Sequence, residues 1–535
     1  MASRPIAPRR ERPPGLRWWT CYLDRRSSGA GEVSPRAGRF DRTQHREDAM
    51  NENRWQVLST TSLGTLLSAL NFSTLIIALP QLMRGLHATI LQGVWILFAY
   101  MVAQTVMVLM GGSLADRFGR RRLYIVGLAV FTLFSLVAGA SPNAPELILW
   151  RVFQGIGGAL VMANSTAIVA QSFPRRELSR ALGINVMVVA VGQILGPVVG
   201  GWLTTLYGWR WTFWFNVPIG LIAVFWAIWV LGFKGTSKDR VPVDVGGIIT
   251  YVFAITGLLY ALSVGAVSGW ASASVLIAGA VFVVGLPAWI LIESRNPAPL
   301  LHLPLLRIRA FGFGSVAAAL NAIARMAVIF LMIFYFQGAE GETALVAGLR
   351  LIPLAAGMLV LAPIGGAIAD RFGTTRPATV GLIVSTVGFV GLALGLHLHS
   401  AYLMLALWMA IIGVGAGIFN SPNTSRMMTA AGPARRGEAS GIRALTTNTG
   451  MMLSIALAFA VVASVVPRDA MLAIFTGTAR ALPNGTAVLP KFLVGIRGTF
   501  WVMAALNVLA VFFSASGRVD NPDEPDQMRR QPAPG

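Results

Sequence analysis

Gly112-Ser-Leu-Ala-Asp116-Arg-Phe-Gly119-Arg-Arg-Arg122 stands between two long apolar runs. Gly366-Ala-Ile-Ala-Asp370-Arg-Phe-Gly373-Thr-Thr-Arg376 repeats it 254 positions later. Each copy is a short, polar, basic turn. A basic turn locked between two membrane spans is expected on the cytoplasmic side. Its recurrence indicates a membrane domain built twice from one plan.

The composition agrees. Of 535 residues, 55% are hydrophobic and only 12% charged, about half the charged share of a soluble protein. Fourteen apolar runs are long enough to span a bilayer: 58–82, 91–112, 123–141, 146–171, 181–206, 211–233, 244–265, 273–292, 311–336, 345–369, 378–397, 401–425, 440–465 and 496–516. The net charge of +21 would suit a nucleic-acid partner in a soluble chain. Here the basic residues gather in short loops. Six loops with their flanking span ends (112–123, 172–180, 234–243, 293–310, 370–377 and 426–443) carry about 19 Lys and Arg, against about five on the other side. That asymmetry predicts both termini in the cytoplasm and no nucleic-acid partner.

Residues 1–54 form a basic tail rich in Arg, Pro, Ser and Gly, expected to be disordered. Met50, just before the first span, is an alternative start. The lone cysteine, Cys21, lies in this tail, which excludes an intrachain disulfide and a thiolate metal cluster. Further echoes extend the repeat: Gly155-Ile-Gly-Gly-Ala159 with Gly413-Val-Gly-Ala-Gly417, and Leu182-Gly-Ile184 with Ser440-Gly-Ile442. The expected organisation is a six-helix half over 55–233, an inserted helix pair over 234–293, a second six-helix half over 294–517 and a disordered tail over 518–535. Segment 466–495 is the longest loop on the far side; a place on the membrane surface is one reading of it.

Three further runs carry chemistry. Arg151-Val-Phe-Gln154-Gly-Ile-Gly157-Gly158 sets a charge inside span 4, little more than one turn from Glu146. A charge there costs about 3 kcal/mol, so it needs a partner, a wet cavity or an outward-snorkelling side chain. Gly192-x-x-x-Gly196-Pro197-x-x-Gly200-Gly201 in span 5 gives one flat helix face for close packing. Trp209-Arg-Trp211-Thr-Phe-Trp-Phe-Asn216-Val-Pro218-Ile-Gly220 suits an aromatic belt.

Over about residues 55–516 these runs resemble the major facilitator superfamily, and within it the fourteen-spanner drug:proton antiporters. The resemblance implies an all-α integral membrane protein with two six-helix halves and two inserted helices. Residues 112–122 match the superfamily loop G-x-L-A-D-[RK]-x-G-[RK]-[RK] at every position. That implies a cytoplasmic gating loop made by Gly112, Asp116, Arg117, Gly119, Arg120 and Arg121, echoed by Asp370, Arg371 and Gly373. The span-4 run resembles R-x-x-Q-G-x-G and implies proton coupling through Arg151, Gln154 and Glu146. The span-5 run matches the antiporter signature G-x-x-x-G-P-x-x-G-G, a pattern of exporters.

The chain departs from this family in span 1. Asn71 stands where the family carries an acid, and Ile76 where it carries a later Asn. Every acidic residue between 55 and 516 falls in a loop or at a span end. The charges placed deep are positive: Arg151, and Arg325 in span 9. Two cations facing a cavity would favour an anionic or neutral amphipathic substrate. Asn71, Asn321, Arg325, Asn420, Asn423 and Asn448 are candidates for the substrate path, with helix-to-helix hydrogen bonding the alternative role for Asn420, Asn423 and Asn448.

The expectation is export of small lipophilic compounds by alternating access in exchange for protons, from a bacterial plasma membrane, by a monomer. A broad multidrug exporter using Glu146, Glu340 or Glu342 as proton site, and a facilitator without proton coupling, are the alternatives. No P-loop pattern occurs, so no ATP is expected. An enzyme, a cofactor and a metal are not expected either: His397 and His399, two apart, cannot share one helix face.

Overall fold

The computed structural model describes residues 54–232, 245–296, 301, 303–432, 435–478 and 485–517. The tail before Arg54 with its alternative start, the whole of the 234–243 loop and the tail after Gly517 lie outside them.

Among the described residues fourteen helices are long and apolar enough to cross a membrane. We number them α1 Arg54–Gly85, α2 Ile90–Phe118, α3 Arg120–Gly139, α4 Ala144–Ser172, α5 Arg175–Tyr207, α6 Trp211–Leu231, α7 Val245–Ser268, α8 Ala273–Arg295, α9 Arg309–Phe334, α10 Ala344–Phe372, α11 Thr375–Gly395, α12 Tyr402–Ala431 and α13 Arg436–Ala463. A short helix, α14 Arg468–Phe475, precedes the last span, α15 Gly485–Ser516.

Local chemistry sets the ends. Thr89 and Gln92 form a reciprocal capping box that starts α2. Asn143 caps α4 through its side chain, followed by Pro at the first turn. Gly119 and Gly373, the glycines of the two Asp-Arg-Phe-Gly turns, have φ of 87° and 78°. That backbone region is costly for residues with a Cβ, so the turn fixes glycine at both places. We call the membrane side holding these turns the basic face and the opposite one the far face.

Two expected boundaries need correction. Span 14 begins eleven residues early, at Gly485, with Pro490 inside its first turns. Pro490 is the sixth residue of this helix, past the free N–H groups of the first turn, so it removes one intrahelical hydrogen bond there. The 426–443 segment is mostly helix, since α12 runs to Ala431 and α13 starts at Arg436. Arg426 therefore sits inside a span rather than in a loop, and Arg443, already within span 13, lies seven residues from the start of α13.

Helices α1–α6 pack as one group, and α9–α13 with α15 as a second. Pair α7–α8 touches both: the Tyr260 ring lies tilted against Trp95 of α2, 6.4 Å between centroids, and the Tyr251 hydroxyl is 2.8 Å from Thr449 Oγ1 of α13. Large apolar side chains such as Phe225, Trp229, Val284, Leu403 and Phe512 face outward, as a bilayer-facing surface requires.

Candidate functional site

The glycines of the span-5 signature form two contacts. Gly192, Gly196 and Gly200 lie against α1; a Cβ at Gly192 would come 2.9 Å from Ala69 Cβ, and one at Gly200 2.6 Å from Thr74 Cα. Gly201 and Pro197 face the other group instead. Gly201 lies against the Ala344 carbonyl, and the Pro197 carbonyl lies against Gly348 of α10. Hydrogen bonds complete this junction: Gln337 Nε2 donates to the Ile77 carbonyl at 2.9 Å, and Leu345 N–H to Thr205 Oγ1 at 3.2 Å. The contacts of this junction between the groups lie in the far-face portions of their helices. The two groups are thus sealed together at that face.

Arg151 is fully buried and makes its own environment. Its Nη1 donates to Gln154 Oε1 at 2.6 Å and its Nε to the Ile96 carbonyl at 3.3 Å. Its guanidinium lies over the Tyr100 ring, 4.2 Å from the centroid. Gln154 Nε2 donates onward to Asn71 Oδ1 and Ser135 Oγ, at 3.1 and 3.0 Å. Asn216 Nδ2 joins the same Asn71 oxygen at 3.3 Å. One polar knot thus ties α1, α2, α3, α4 and α6.

This corrects three expectations. Arg151 neither snorkels nor faces a cavity, and Asn71 is 1% exposed. Glu146 does not meet Arg151. Its carboxylate accepts from Asn143 Nδ2 at 2.7 Å, held at the α4 N-terminus, where a negative charge is favoured.

The second group repeats the motif in reduced form. Asn321 Nδ2 donates to Asn507 Oδ1 at 3.2 Å, and Asn507 Nδ2 to Thr386 Oγ1 at 3.0 Å. Asn71 with Asn216 and Asn321 with Asn507 thus join the first and last helix of each group. Arg426, missed in the sequence, is 1% exposed. It donates to Asn423 Oδ1 at 2.7 Å and to the Ser514 carbonyl at 3.0 Å, capping the end of α15. Asn423 also donates to the Gly314 carbonyl at 3.0 Å.

Arg325 has a different setting. It lines a polar pocket with Asn321, Asn420, Asn423, Arg443 and Thr447 of the second group. Asn448 is not part of that lining. A separate apolar groove lies on α11, α12 and α15, walled by Val387, Leu394 and Val508; their outward exposure makes it bilayer-facing surface.

At the far face Arg350 pairs with Glu342, and its guanidinium lies 5.1 Å from the Tyr402 ring centroid. Burial raises the Glu342 carboxyl above its ordinary value, Arg350 lowers it and Glu340 raises it, for a net rise. Glu340 accepts from His399 N–H at 3.0 Å. Of the gating-loop residues, Arg117 and Arg121 are exposed, as are Asp370, Arg371 and Gly373. Arg121 reaches the Leu231 carbonyl at 3.2 Å. Arg120 opens α3, Gly112 lies within α2, and the side chain of Asp116 lies outside the described ones.

The family model described as Major Facilitator Superfamily matches residues 61–455. The chain belongs to the major facilitator superfamily. This transporter is 30% identical to the tetracenomycin C resistance and export protein of Streptomyces glaucescens, over 77% of its own length and 76% of that protein. It is 30% identical to the riboflavin transporter RibZ of Clostridioides difficile, over 76% and 87%. It is 29% identical to the multidrug resistance protein Stp of Mycobacterium tuberculosis, over 78% and 77%. Its fold is similar to that of a bacterial homolog of the human lysosomal transporter Spinster, crystallised inward-facing and unoccupied. The TM-score is 0.62 at 17% identity, covering 87% of this chain and 97% of that one. Transporters of this superfamily, and not enzymes, are the relatives of this chain.

Proposed function

We propose that the transporter exports small lipophilic compounds by alternating access, in exchange for protons, and favours anionic or neutral amphipathic molecules. The observation that carries this reading is Arg325, a cation in a polar pocket whose lining holds no acid. The far-face seal supports a form that loads from the basic face. The charge asymmetry supports a cytoplasmic basic face and cytoplasmic termini. The names of the tetracenomycin C and multidrug relatives support export of lipophilic compounds.

Proteoliposomes test it. Arg325→Gln is expected to lose transport of a lipophilic carboxylate while keeping the wild-type melting temperature. Unchanged transport in that variant removes Arg325 from the path.

One observation favours an end-of-span acid as the proton site. Glu342 Oε2 is buried and has no hydrogen-bond partner, while its other oxygen holds Arg350. A proton taken up there weakens the pairing and frees Arg350. Glu146, held at its helix cap, and Glu340, bonded to His399, are less suited to the role.

A further inference from the structure

Arg325 and Arg443 share one pocket, yet they come from different helices. Arg325 lies near the middle of α9. Arg443 lies seven residues into α13, about 10 Å from its basic-face end. Asn321, Asn420, Asn423, Thr424 and Thr447 complete the polar lining, and no carboxylate belongs to it. Neither guanidinium has a hydrogen-bond or ion-pair partner among the described residues, and the Nε of each is shut off from solvent.

The protein gives Arg151 and Arg426 partners of its own, leaving only Arg151 Nη2 and Arg426 Nε without one. Arg151 has an amide oxygen, a carbonyl and an aromatic face. Arg426 has an amide oxygen and the carbonyls of Ser514 and Gly517. Two unpaired cations in one intramembrane pocket repel, and the Nε of each, closed to solvent, has no partner among the described residues to replace its hydration. Such a pair calls for an anion, and guanidinium forks match the two oxygens of an oxyanion.

We propose that Arg325 and Arg443 form a two-cation receptor for one anionic group of the substrate, a carboxylate, sulfonate or phosphate, which makes Arg443 a second charge-selecting residue. Asn420 and Thr447 supply the remaining donors. Because the two cations stand on α9 and α13, a bound anion also braces these helices together. The proposal rests on the export reading above and specifies the headgroup its substrate carries.

The test uses the full-length protein in phosphatidylcholine nanodiscs, with dansyl-undecanoate and its uncharged primary amide as probes. Wild type is expected to bind the acid at least tenfold tighter than the amide. Arg325→Gln and Arg443→Gln each reduce that preference, the double variant abolishes it, and Arg443→Lys keeps part of it. Melting temperatures in the same nanodiscs separate lost recognition from lost folding. Equal binding of acid and amide by wild type, or a full acid preference in a folded Arg443→Gln, overturns the receptor. Nanodiscs containing phosphatidylglycerol separate two sources of anion. Unchanged probe affinity assigns the pocket to a substrate, while weakened affinity assigns it to a lipid headgroup and overturns the substrate claim. Export of an uncharged dye from proteoliposomes is read in parallel. Dye export without acid preference sinks the receptor alone, whereas acid preference without transport of either probe sinks the export reading alone.

Discussion

The carbonyl of Pro197 rests against Gly348, across the boundary between the two helix groups. The contact depends on both residues. Gly348 has no side chain to hold the backbones apart, and Pro197 sits in the glycine-rich face that lets α5 lie on α1 and α10 together. The span-5 signature therefore joins packing within one group to closure between the two. A motif usually read as a helix-packing device is also the wall of the far-face seal.

Adding bulk at this wall should open it. Gly348→Val places methyl groups against the Pro197 carbonyl, a backbone atom that cannot rotate away. Transport is expected to fall at least tenfold, about 1.4 kcal/mol. A cysteine at Thr205, read by a membrane-impermeant maleimide from the far side, should label faster in the Gly348→Val background. Equal labelling in both backgrounds would show that this contact does not seal the path.

The knot around Arg151 predicts a stability effect rather than a change in substrate preference. Arg151→Ala strands Gln154 and the Ile96 carbonyl, and breaking a buried charged network costs about 3–5 kcal/mol. The melting temperature should drop sharply, and Arg151→Lys should not restore it, because a point charge cannot reproduce the stacking on Tyr100 together with two directed bonds. A stable Arg151→Ala protein that loses only proton dependence would return Arg151 to a coupling role.

Arg426 should matter through the end of α15. Its bonds to the Ser514 and Gly517 carbonyls neutralise a helix C-terminus. Arg426→Ala is expected to cost up to about 2 kcal/mol and to raise amide exchange in the last turn of α15, with substrate preference intact. Unaltered exchange there contradicts the capping account.

Much of this architecture is legible in the sequence, for identifiable reasons. Spans declare themselves by length and hydropathy alone, and the Gly119 and Gly373 turns by a backbone requirement that only glycine meets cheaply. Side-chain partners are less legible. Asn216 reads as part of an aromatic belt, yet it reaches Asn71 across the group. Arg426 reads as a loop charge because topology is inferred from charge, and that inference cannot show that α12 continues past it to Ala431. Arg151 and Arg325 look alike as intramembrane cations. Only the folded neighbours separate Arg151, which has an amide oxygen, a carbonyl and a ring for partners, from Arg325, which has none among the described residues.

The pH dependence should trace to Glu342. Its carboxyl is raised in the sealed form, chiefly by burial, so that form holds the proton more readily than a water-exposed one. Acid therefore favours the seal, and the preference fades as pH rises through the raised value. With the Thr205→Cys reporter in place, far-face labelling, divided by the rate of the same thiol in unfolded protein at each pH to remove thiol ionisation, should increase as pH is raised from about 5 to about 8. Adding Glu342→Gln should leave that corrected rate flat over the range, and an unchanged slope would exclude Glu342 as the sensor.

The most direct test of the account is transport of dansyl-undecanoate in proteoliposomes across an imposed pH gradient. Movement of the acid against its own concentration gradient, driven by protons flowing the opposite way and lost in Arg325→Gln, is the predicted result. Transport that ignores the pH gradient, or that persists at the wild-type rate in Arg325→Gln, would contradict it.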